Sequence, residues 1–201
     1  MLETIFEFDR SITFFINGAH TPFWDAIMLF FSSKTVWIPL YLAMAAAMFF
    51  PKWYGKPQIK GWVAALIGIG AILVAFGLTD QICNLLKNTT ERLRPGHDPI
   101  TAPLMWLPDG KGGPYTFPSA HAANSMCIAI LTALIFRRKW YTVTIISWSV
   151  AIGFSRIYLA RHFFTDVVCG LILGALIGWL VYKLWEKVWT IYLNKYNKLK
   201  T

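Results

Sequence analysis

The feature that most limits the fold of this sequence is a series of long apolar runs. Three are long enough, at roughly 18 or more residues, to cross a bilayer as helices, and two shorter or more polar runs are plausible further spans. In chain order the five candidates are residues 35–50, 61–86, 120–136, 140–160 and 163–185. Hydrophobic residues make up 56% of the chain and the mean hydropathy is +0.49, values that a soluble domain rarely reaches. The sequence predicts an all-α integral membrane bundle of five or six transmembrane helices in one domain.

The N-terminal region, residues 1–33, has a different pattern. Residues 1–17 alternate acidic and basic side chains with Phe, Ile and Leu at helical spacing, which is typical of an amphipathic helix in the membrane interface. Residues 22–31 predict a second interfacial or half-buried helix. The region lacks the basic start and the small-residue cleavage site of a signal peptide, so we expect it to remain in the mature chain.

The basic residues divide into two groups if all five candidate spans cross the membrane. Eleven of the 19 fall on one face, in residues 52–60, in residues 137–139 and in the tail from Lys183 onwards. The positive-inside rule places that face in the cytoplasm, where a basic rim would meet anionic lipid headgroups. The other eight fall on the opposite face, most of them within short polar stretches. Charge that accumulates against the topology rule indicates a function on the extracytoplasmic side.

Three polar stretches lie on that opposite face, each beside an apolar run. They read KNTTERLRP at residues 87–95, PSAH at residues 118–121 and SRIYLARHFFTD at residues 155–166. A membrane penalises ionisable groups, so charges that are kept at such positions indicate a functional site. We expect the bundle to bring the three stretches together at its extracytoplasmic end.

Taken in this order, the patterns K-x6-RP, PS-x-H and SR-x5-H-x3-D resemble the type 2 phosphatidic acid phosphatase family. The resemblance covers roughly residues 61–185 and includes the placement of the motifs near the ends of apolar runs. It implies a compact helical membrane enzyme that removes phosphate from a lipid at the outer leaflet. One departure is Ala120, because the family commonly has glycine there; alanine keeps the backbone amide but restricts the local φ.

The residue types in the motifs suit phosphate chemistry. Lys87, Arg94 and Arg156 supply three fixed cations that can neutralise the oxygens of one phosphoryl group, and the planar fork of arginine matches phosphate. Ser119 occupies an N-cap position before an apolar helix. Its hydroxyl and the amides that follow, beginning with that of Ala120, predict an anion site at a helix N-terminus.

His162 and Asp166 are four residues apart, which places them on one helix face if the helix begins near His162. The carboxylate can then hold one ring nitrogen protonated and leave the other free to attack phosphorus. The resemblance implies that His162 is the nucleophile, which forms a phosphohistidine, and that His121 is the general acid. The spacing alone does not separate these two roles.

Two more arginines, Arg92 and Arg161, lie beside the motifs without belonging to them. Such residues often pair within a bundle or extend to the interface. As surplus cations they would instead favour a head group with more than one negative centre. On that ground undecaprenyl pyrophosphate or a lipid A phosphate is the favoured substrate, with phosphatidylglycerophosphate and phosphatidic acid as further candidates. The loop at residues 96–117 is long enough to cover the site, although a plain linker is the alternative.

No metal and no other cofactor is expected. Cys83, Cys127 and Cys169 lie within apolar runs at no metal-like spacing, which favours packing. His97 and Asp98 provide two ligands without a third nearby, which favours a turn over a metal site. The expected partners are the lipid phosphate substrate and bilayer lipids, with no nucleic acid and no obligate protein partner. The short chain indicates a bacterial inner-membrane enzyme whose site faces the periplasm.

Two other functions share parts of this pattern. Vanadium haloperoxidases have a similar constellation of residues, but they are soluble, unlike this chain. A phospholipid transporter or scramblase that retains a phosphate site would keep the cations but could lose His162 or Asp166. Both residues are present, which favours catalysis, and the transporter remains the alternative function.

Overall fold

The computed structural model describes residues 2–55 and 60–198, and within these ranges the chain is helical apart from loops and one isolated β-bridge. The α-helices are, in chain order, α1 Leu2–Gly18, α2 Pro22–Ser32, α3 Ile38–Ala47, α4 Gly61–Thr90, α5 Ala120–Phe136, α6 Lys139–Tyr158 and α7 Phe164–Lys198. Short 3-10 turns occupy Thr35–Trp37, Pro51–Tyr54 and Ala102–Leu104. The all-α prediction is confirmed for the part of the chain that the structure describes.

Two helices, α4 and α7, are long and apolar enough to cross a membrane on their own. α2 and the segment from Thr35 to Ala47 pass the same test only as a pair, and they are bent by 63° at the break between them. The span expected at residues 35–50 differs from this arrangement, because α3 ends at Ala47 and continues a bent pair. α5 has only 17 residues. The helices are those of a membrane protein, whereas the count of five or six spans stays a prediction.

Glycines on α7 allow its backbone to approach that of α5. Gly170, Gly174 and Gly178 recur every four residues and so share one helix face. A Cβ added at Gly170 or Gly178 would lie 2.6 or 2.5 Å from a backbone oxygen of the α5 segment, and one added at Gly174 would lie closer still to the carbonyl oxygen of Ala123. This contact fixes α5, which begins with the PSAH motif, directly against α7.

The main hydrophobic core lies between α4, α5 and α7, with Leu131 and Trp189 among its fully buried side chains. Cys83 and Cys127 are buried and Cys169 is partly buried, and all three are free thiols. Their positions agree with the packing role expected from the sequence.

The segment between α4 and α5 is an ordered cover over the polar end of the bundle. Its two ends pair through an antiparallel bridge between Leu93 and Tyr115. Asp98 accepts a hydrogen bond from Arg10 of α1 at 3.0 Å, and the backbone of Trp106 contacts α1 as well. These contacts argue against the plain linker and for a loop that covers a site.

The helix α1 is amphipathic, but its polar stripe faces the protein. Asp9 and Asn17 are 0% and 2% exposed, whereas Phe8 and Phe15 are 58% and 83% exposed. The apolar outer face suits a lipid environment, as expected for an interfacial helix. The inward polar face is held by hydrogen bonds, including one from Asn17 Nδ2 to the Tyr158 carbonyl at 2.7 Å.

The basic residues at the other end of the bundle form their own contacts. Arg137 pairs with Glu186 at 3.3 Å, and Arg138 donates to the Trp53 carbonyl at 3.2 Å. This end is the one that the charge distribution assigns to the cytoplasm. Two of the lysines counted there, Lys56 and Lys200, lie outside the described residues.

Candidate active site

The three polar stretches meet at one end of the bundle. Lys87 comes from the last turn of α4, Arg156 from the last turn of α6, and Arg94 from the segment that follows α4. The positive charges of all three act on the imidazole of His162. The structure therefore brings together residues that the sequence assigns to phosphate binding and to nucleophilic attack.

His162 lies between α6 and α7 and is almost fully buried. Burial, followed by the positive charges of Arg156, Arg94 and Lys87, holds the pKa of His162 well below its ordinary value. The imidazole is therefore neutral. A neutral ring keeps a lone pair on one nitrogen, which a nucleophile requires.

Thr116 stands between His162 and Asp166. Its Oγ1 donates to Asp166 Oδ2 at 2.5 Å and lies 3.0 Å from His162 Nδ1, whereas Nδ1 and Oδ2 are 3.8 Å apart. The direct bond from the carboxylate to the imidazole, expected from the sequence, is thus replaced by a hydroxyl relay. Because the hydroxyl has one proton and donates it to the carboxylate, it accepts from Nδ1–H. This tautomer leaves the lone pair on Nε2.

The position of His162 relative to α7 explains the difference. α7 begins at Phe164, so His162 precedes the helix and does not share a helix face with Asp166. Asp166 instead caps the start of the helix, with Oδ2 accepting from the Phe163 amide at 2.8 Å. The gap between ring and carboxylate is then filled by Thr116, which the covering loop supplies.

Arg156 is 4% exposed and only partly paired. Its Nη1 donates to Ser32 Oγ, the Asp109 carboxylate is 3.9 Å away, and its Nε is buried without a hydrogen-bond partner among the described residues. Burial, and next the charge of Arg161, lower the pKa of the Arg94 guanidinium. An anion stabilises cations that repel one another and that retain an unused donor. The cluster is therefore suited to a phosphate.

The start of α5 contributes backbone groups to the same end. Ser119 is the N-cap of α5, and its Oγ accepts from the Ala122 amide at 3.5 Å. The Ser119 amide donates to the Asp166 carbonyl at 3.0 Å, which ties α5 to α7 at the site. Ala120 opens the first turn, where amides have no partner within the helix. This arrangement is compatible with the anion site expected from the sequence.

His121, also in the first turn of α5, adjoins the cationic cluster. Its ring is within electrostatic reach of Arg156, His162, Lys34 and Lys87. The ring also lines a cavity next to the bend between α2 and α3. A second imidazole thus lies near His162, as a mechanism with a nucleophile and a separate acid requires.

Arg92 pairs with two carboxylates. Its Nη1 donates to Asp166 Oδ1 at 2.7 Å and its Nη2 to Asp9 Oδ2 at 2.5 Å, while its guanidinium lies over the Phe163 ring at 4.7 Å. Both carboxylates are fully buried, and charges in such a place need a partner. Arg92 therefore holds Asp166 in place, and its expected contact with the substrate head group stays a prediction.

Arg161 is also paired. Its Nε donates to Asp109 Oδ2 at 2.8 Å, and its Nη2 donates to the Asp109 carbonyl. Asp109 belongs to the covering loop, so this ion pair holds the loop against the site. Because Arg92 and Arg161 both have carboxylate partners, the argument that surplus charge selects a multiply charged head group loses its basis.

Sequence reasoning missed Asp9 and Thr116. Asp9 Oδ1 accepts from the Thr165 amide at 2.8 Å, and its Oδ2 accepts from the Thr165 hydroxyl at 2.6 Å, so α1 reaches the start of α7. Neither residue belongs to a motif. The available signal was the spacing of Asp9, Thr13 and Asn17, which are four residues apart and so share one face of the helix; a stripe that faces water has the same spacing.

Within residues 2–55 and 60–198, no group of three or more His, Cys, Asp or Glu side chains is arranged to hold a metal ion. His97 Nε2 lies 3.0 Å from the Gly112 carbonyl oxygen, and Asp98 pairs with Arg10. The two residues considered as metal ligands thus have structural contacts. Metal independence of the reaction stays a prediction.

The bundle, its motif residues and their convergence agree with one known family. Residues 68–190 match the PAP2 superfamily. The chain therefore belongs to the PAP2 superfamily, as the resemblance of its three motifs implied. It is an enzyme of the phosphatase class.

The chain is also similar to individual members of this family. The chain is 35% identical over 192 residues to the lipid A 4'-phosphatase of Bacteroides thetaiotaomicron, covering 94% of this chain and 81% of the relative. It is 34% identical over 186 residues to the lipid A 4'-phosphatase of Porphyromonas gingivalis, covering 92% and 75%. A transmembrane PAP2-type phosphatidylglycerolphosphate phosphatase from Bacillus subtilis superposes with a TM-score of 0.70 at 27% identity, covering 92% of this chain and 88% of that one.

Replacing Thr116 with valine is expected to lower kcat by about 10- to 100-fold, the equivalent of one lost buried hydrogen bond of about 1–3 kcal/mol. The valine has a similar shape but leaves His162 Nδ1–H and Asp166 Oδ2 without their shared partner. Steady-state phosphate release across a pH series measures the effect. Thr116→Ser keeps the hydroxyl and should retain most of the activity. A Thr116→Val enzyme with unchanged kcat and pH profile would contradict the relay.

Proposed function

We propose that this membrane phosphatase hydrolyses the phosphate monoester of a lipid A through a phosphohistidine on His162. The observation that carries the proposal is the buried His162, whose Nδ1 lies 3.0 Å from Thr116 Oγ1 in the field of three cations. A ring nitrogen with a free lone pair beside a phosphate-binding cluster is the arrangement that nucleophilic attack on phosphorus needs.

In the first step the phosphate oxygens are held by Lys87, Arg94 and Arg156. Nε2 of His162 attacks phosphorus, the bond from phosphorus to the lipid oxygen breaks, and His121 donates a proton to that oxygen. The negative charge of the bound phosphate favours the protonated ring of His121 that this step requires. The lipid alcohol then leaves.

In the second step water replaces the lipid. The neutral His121 takes a proton from the water, whose oxygen attacks phosphorus, and the bond from phosphorus to Nε2 breaks. Inorganic phosphate leaves, and His162 returns to its neutral form while His121 regains its proton. Asp166, held by Arg92 and Thr116, keeps the ring of His162 oriented throughout.

We infer the orientation from charge. The site lies at the end of the bundle opposite to Arg137, Arg138 and Lys139, so the positive-inside rule turns it towards the periplasm of a bacterial inner membrane. A single cysteine at Lys111, in a chain without its own three cysteines, is expected to react with an impermeant reagent in intact cells, and one at Lys139 is not. The reverse pattern would invert the orientation.

The substrate is tested by phosphate release from four lipids with purified enzyme. We expect kcat/KM to be higher for lipid A phosphate than for undecaprenyl pyrophosphate, phosphatidylglycerophosphate or phosphatidic acid, in keeping with the similarity to two lipid A 4'-phosphatases. A preference for any other lipid would refute this assignment. Lipid transfer without phosphate release, unchanged in His162→Ala, would favour the transporter or scramblase instead.

A further inference from the structure

A cavity of about 190 Å³ adjoins His121 on the side of the bend between α2 and α3. Its walls come from that bend, from α4 and from α5, and they include Lys34, Trp37, Phe76, Asp80 and Asn124. The volume is well below the roughly 300–1,000 Å³ of sites that enclose a drug-sized ligand. It suits one compact group of a substrate and excludes a whole lipid.

Two polar side chains in this cavity have no part in the phosphate chemistry. The Oδ1 of Asn124 is buried and has no hydrogen-bond partner among the residues that the structure describes. Asn124 lies one turn after His121 on α5, and both line the cavity. Asp80, across the cavity on α4, accepts a 3.2 Å hydrogen bond from Asn84. A buried amide oxygen without a hydrogen bond costs about 1–3 kcal/mol. A hydrogen-bond donor on a ligand in the cavity would supply the partner that the Asn124 oxygen lacks.

The position of His121 decides which part of the substrate reaches the cavity. A general acid donates its proton to the leaving oxygen, so the atoms attached to that oxygen must lie beside His121. His121 lines the cavity, which makes it the enclosed space next to the expected acid. It therefore receives the group that carries the phosphate, whereas the acyl chains remain outside in the lipid.

The lining chemistry describes that group. Trp37 and Phe76 offer flat apolar faces, Asn124 and Asp80 offer acceptors, and Lys34 at the rim offers a positive charge. A hydroxylated sugar ring has apolar C–H faces and several O–H or N–H donors at its edge, which match these walls. The diacylglycerol of phosphatidic acid has ester oxygens and no donor there, so it would leave Asn124 unsatisfied.

We infer that this cavity is the subsite for the sugar ring that carries the phosphate, with Asn124 and Asp80 as its specificity-determining residues. The inference rests on the proposed function, because it takes His121 as the acid and a glycolipid as the substrate. A site built to hydrogen-bond a substrate group discriminates strongly against a substrate that lacks it.

The test is the ratio of kcat/KM for lipid A phosphate to kcat/KM for phosphatidic acid in detergent micelles. Asn124→Leu, which removes the amide at similar size, and Asp80→Asn are each expected to lower this ratio by about 10-fold or more. Asn88→Leu is the matched control, since Asn88 is exposed on α4 and does not line the cavity; its ratio should equal that of the wild type.

The outcomes separate the subsite from the proposed function. Wild-type enzyme that prefers lipid A phosphate, together with an unchanged ratio in Asn124→Leu and Asp80→Asn, would overturn the subsite alone. An equal loss on both lipids would also overturn it, because it would make the two residues structural. Wild-type enzyme that releases no phosphate from lipid A would overturn the proposed function and the subsite with it.

Discussion

Phosphate release is expected to fall by at least about 10³-fold when His162 is replaced by alanine, in line with the loss seen when a catalytic nucleophile is removed. No other side chain among the described residues combines a neutral imidazole, a held Nδ1 proton and the field of Lys87, Arg94 and Arg156. Water cannot take over the nucleophilic role efficiently, because alanine offers no group at this position that could activate it. Initial rates with lipid phosphate in micelles measure the loss.

The covalent intermediate provides the sharper measurement. Rapid quenching of the enzyme during turnover of labelled substrate should leave acid-labile, base-stable phosphate on His162. His20→Ala is the matched control, since His20 is exposed and stacks on Trp106 away from the cluster; it should keep full activity. Label on a serine, or full activity in His162→Ala, would sink the mechanism.

The depressed pKa of His162 sets the sign of the pH dependence. The nucleophile must be neutral, and its pKa lies well below the ordinary value near 6.5. As pH falls, the free enzyme should therefore keep a competent nucleophile through the range in which an ordinary histidine becomes protonated, and lose it only at lower pH. An acidic limb of kcat/KM centred near 6.5 would indicate a solvated His162 instead.

The second large effect concerns folding. Gly174→Leu is expected to lower the free energy of unfolding and the yield of folded protein, because a Cβ at this position would overlap the carbonyl oxygen of Ala123. A backbone oxygen within a helix cannot move aside as a side-chain end can, so α5 and α7 must separate. Overpacking of this kind costs about 1–3 kcal/mol or more, against a total stability of about 5–15 kcal/mol. Yield of monodisperse protein and thermal unfolding in detergent report the change.

A matched glycine variant controls for hydrophobicity and helix propensity. Gly77 lies inside α4, and a Cβ added there meets nothing within 4 Å. Gly77→Leu should therefore express and unfold like the wild type or slightly above it. Equal behaviour of the two variants would show that α5 and α7 do not depend on direct backbone contact.

The apolar runs were sufficient to locate most of the helices. α5 occupies the same residues, 120–136, as its apolar run, and α4 contains the whole of residues 61–86. These elements are predictable because hydrophobicity over a full helix is a local property. The bend between α2 and α3 cannot be read from local hydrophobicity. At this break, Ser32 contacts Arg156, which is far away in the sequence.

The motifs were sufficient to predict which residues lie together at the site. They were not sufficient to predict the hydrogen-bond partner of each residue. Thr116 lies 46 residues from His162, and Asp9 lies 83 residues from Arg92, so no local pattern joins them. A count of formal charges leaves out the carboxylates that pair with Arg92 and Arg161, so their part in substrate selection stays a prediction. The preference for lipid A now depends on the similarity to relatives instead.

The inward polar face of α1 has a consequence for how the enzyme responds to its solvent. Because Phe8 and Phe15 are exposed and Asp9 and Asn17 are buried, polar contacts are a large part of what holds this helix to the bundle, beside the packing of Ile16. Hydrogen bonds attach it, each worth about 0.5–1.5 kcal/mol net, and the bilayer adds to them by covering its apolar side. A detergent that strips this covering would release Asp9 from Arg92 before the remaining helices separate. Solubilisation is therefore expected to affect turnover and stability as two distinct quantities.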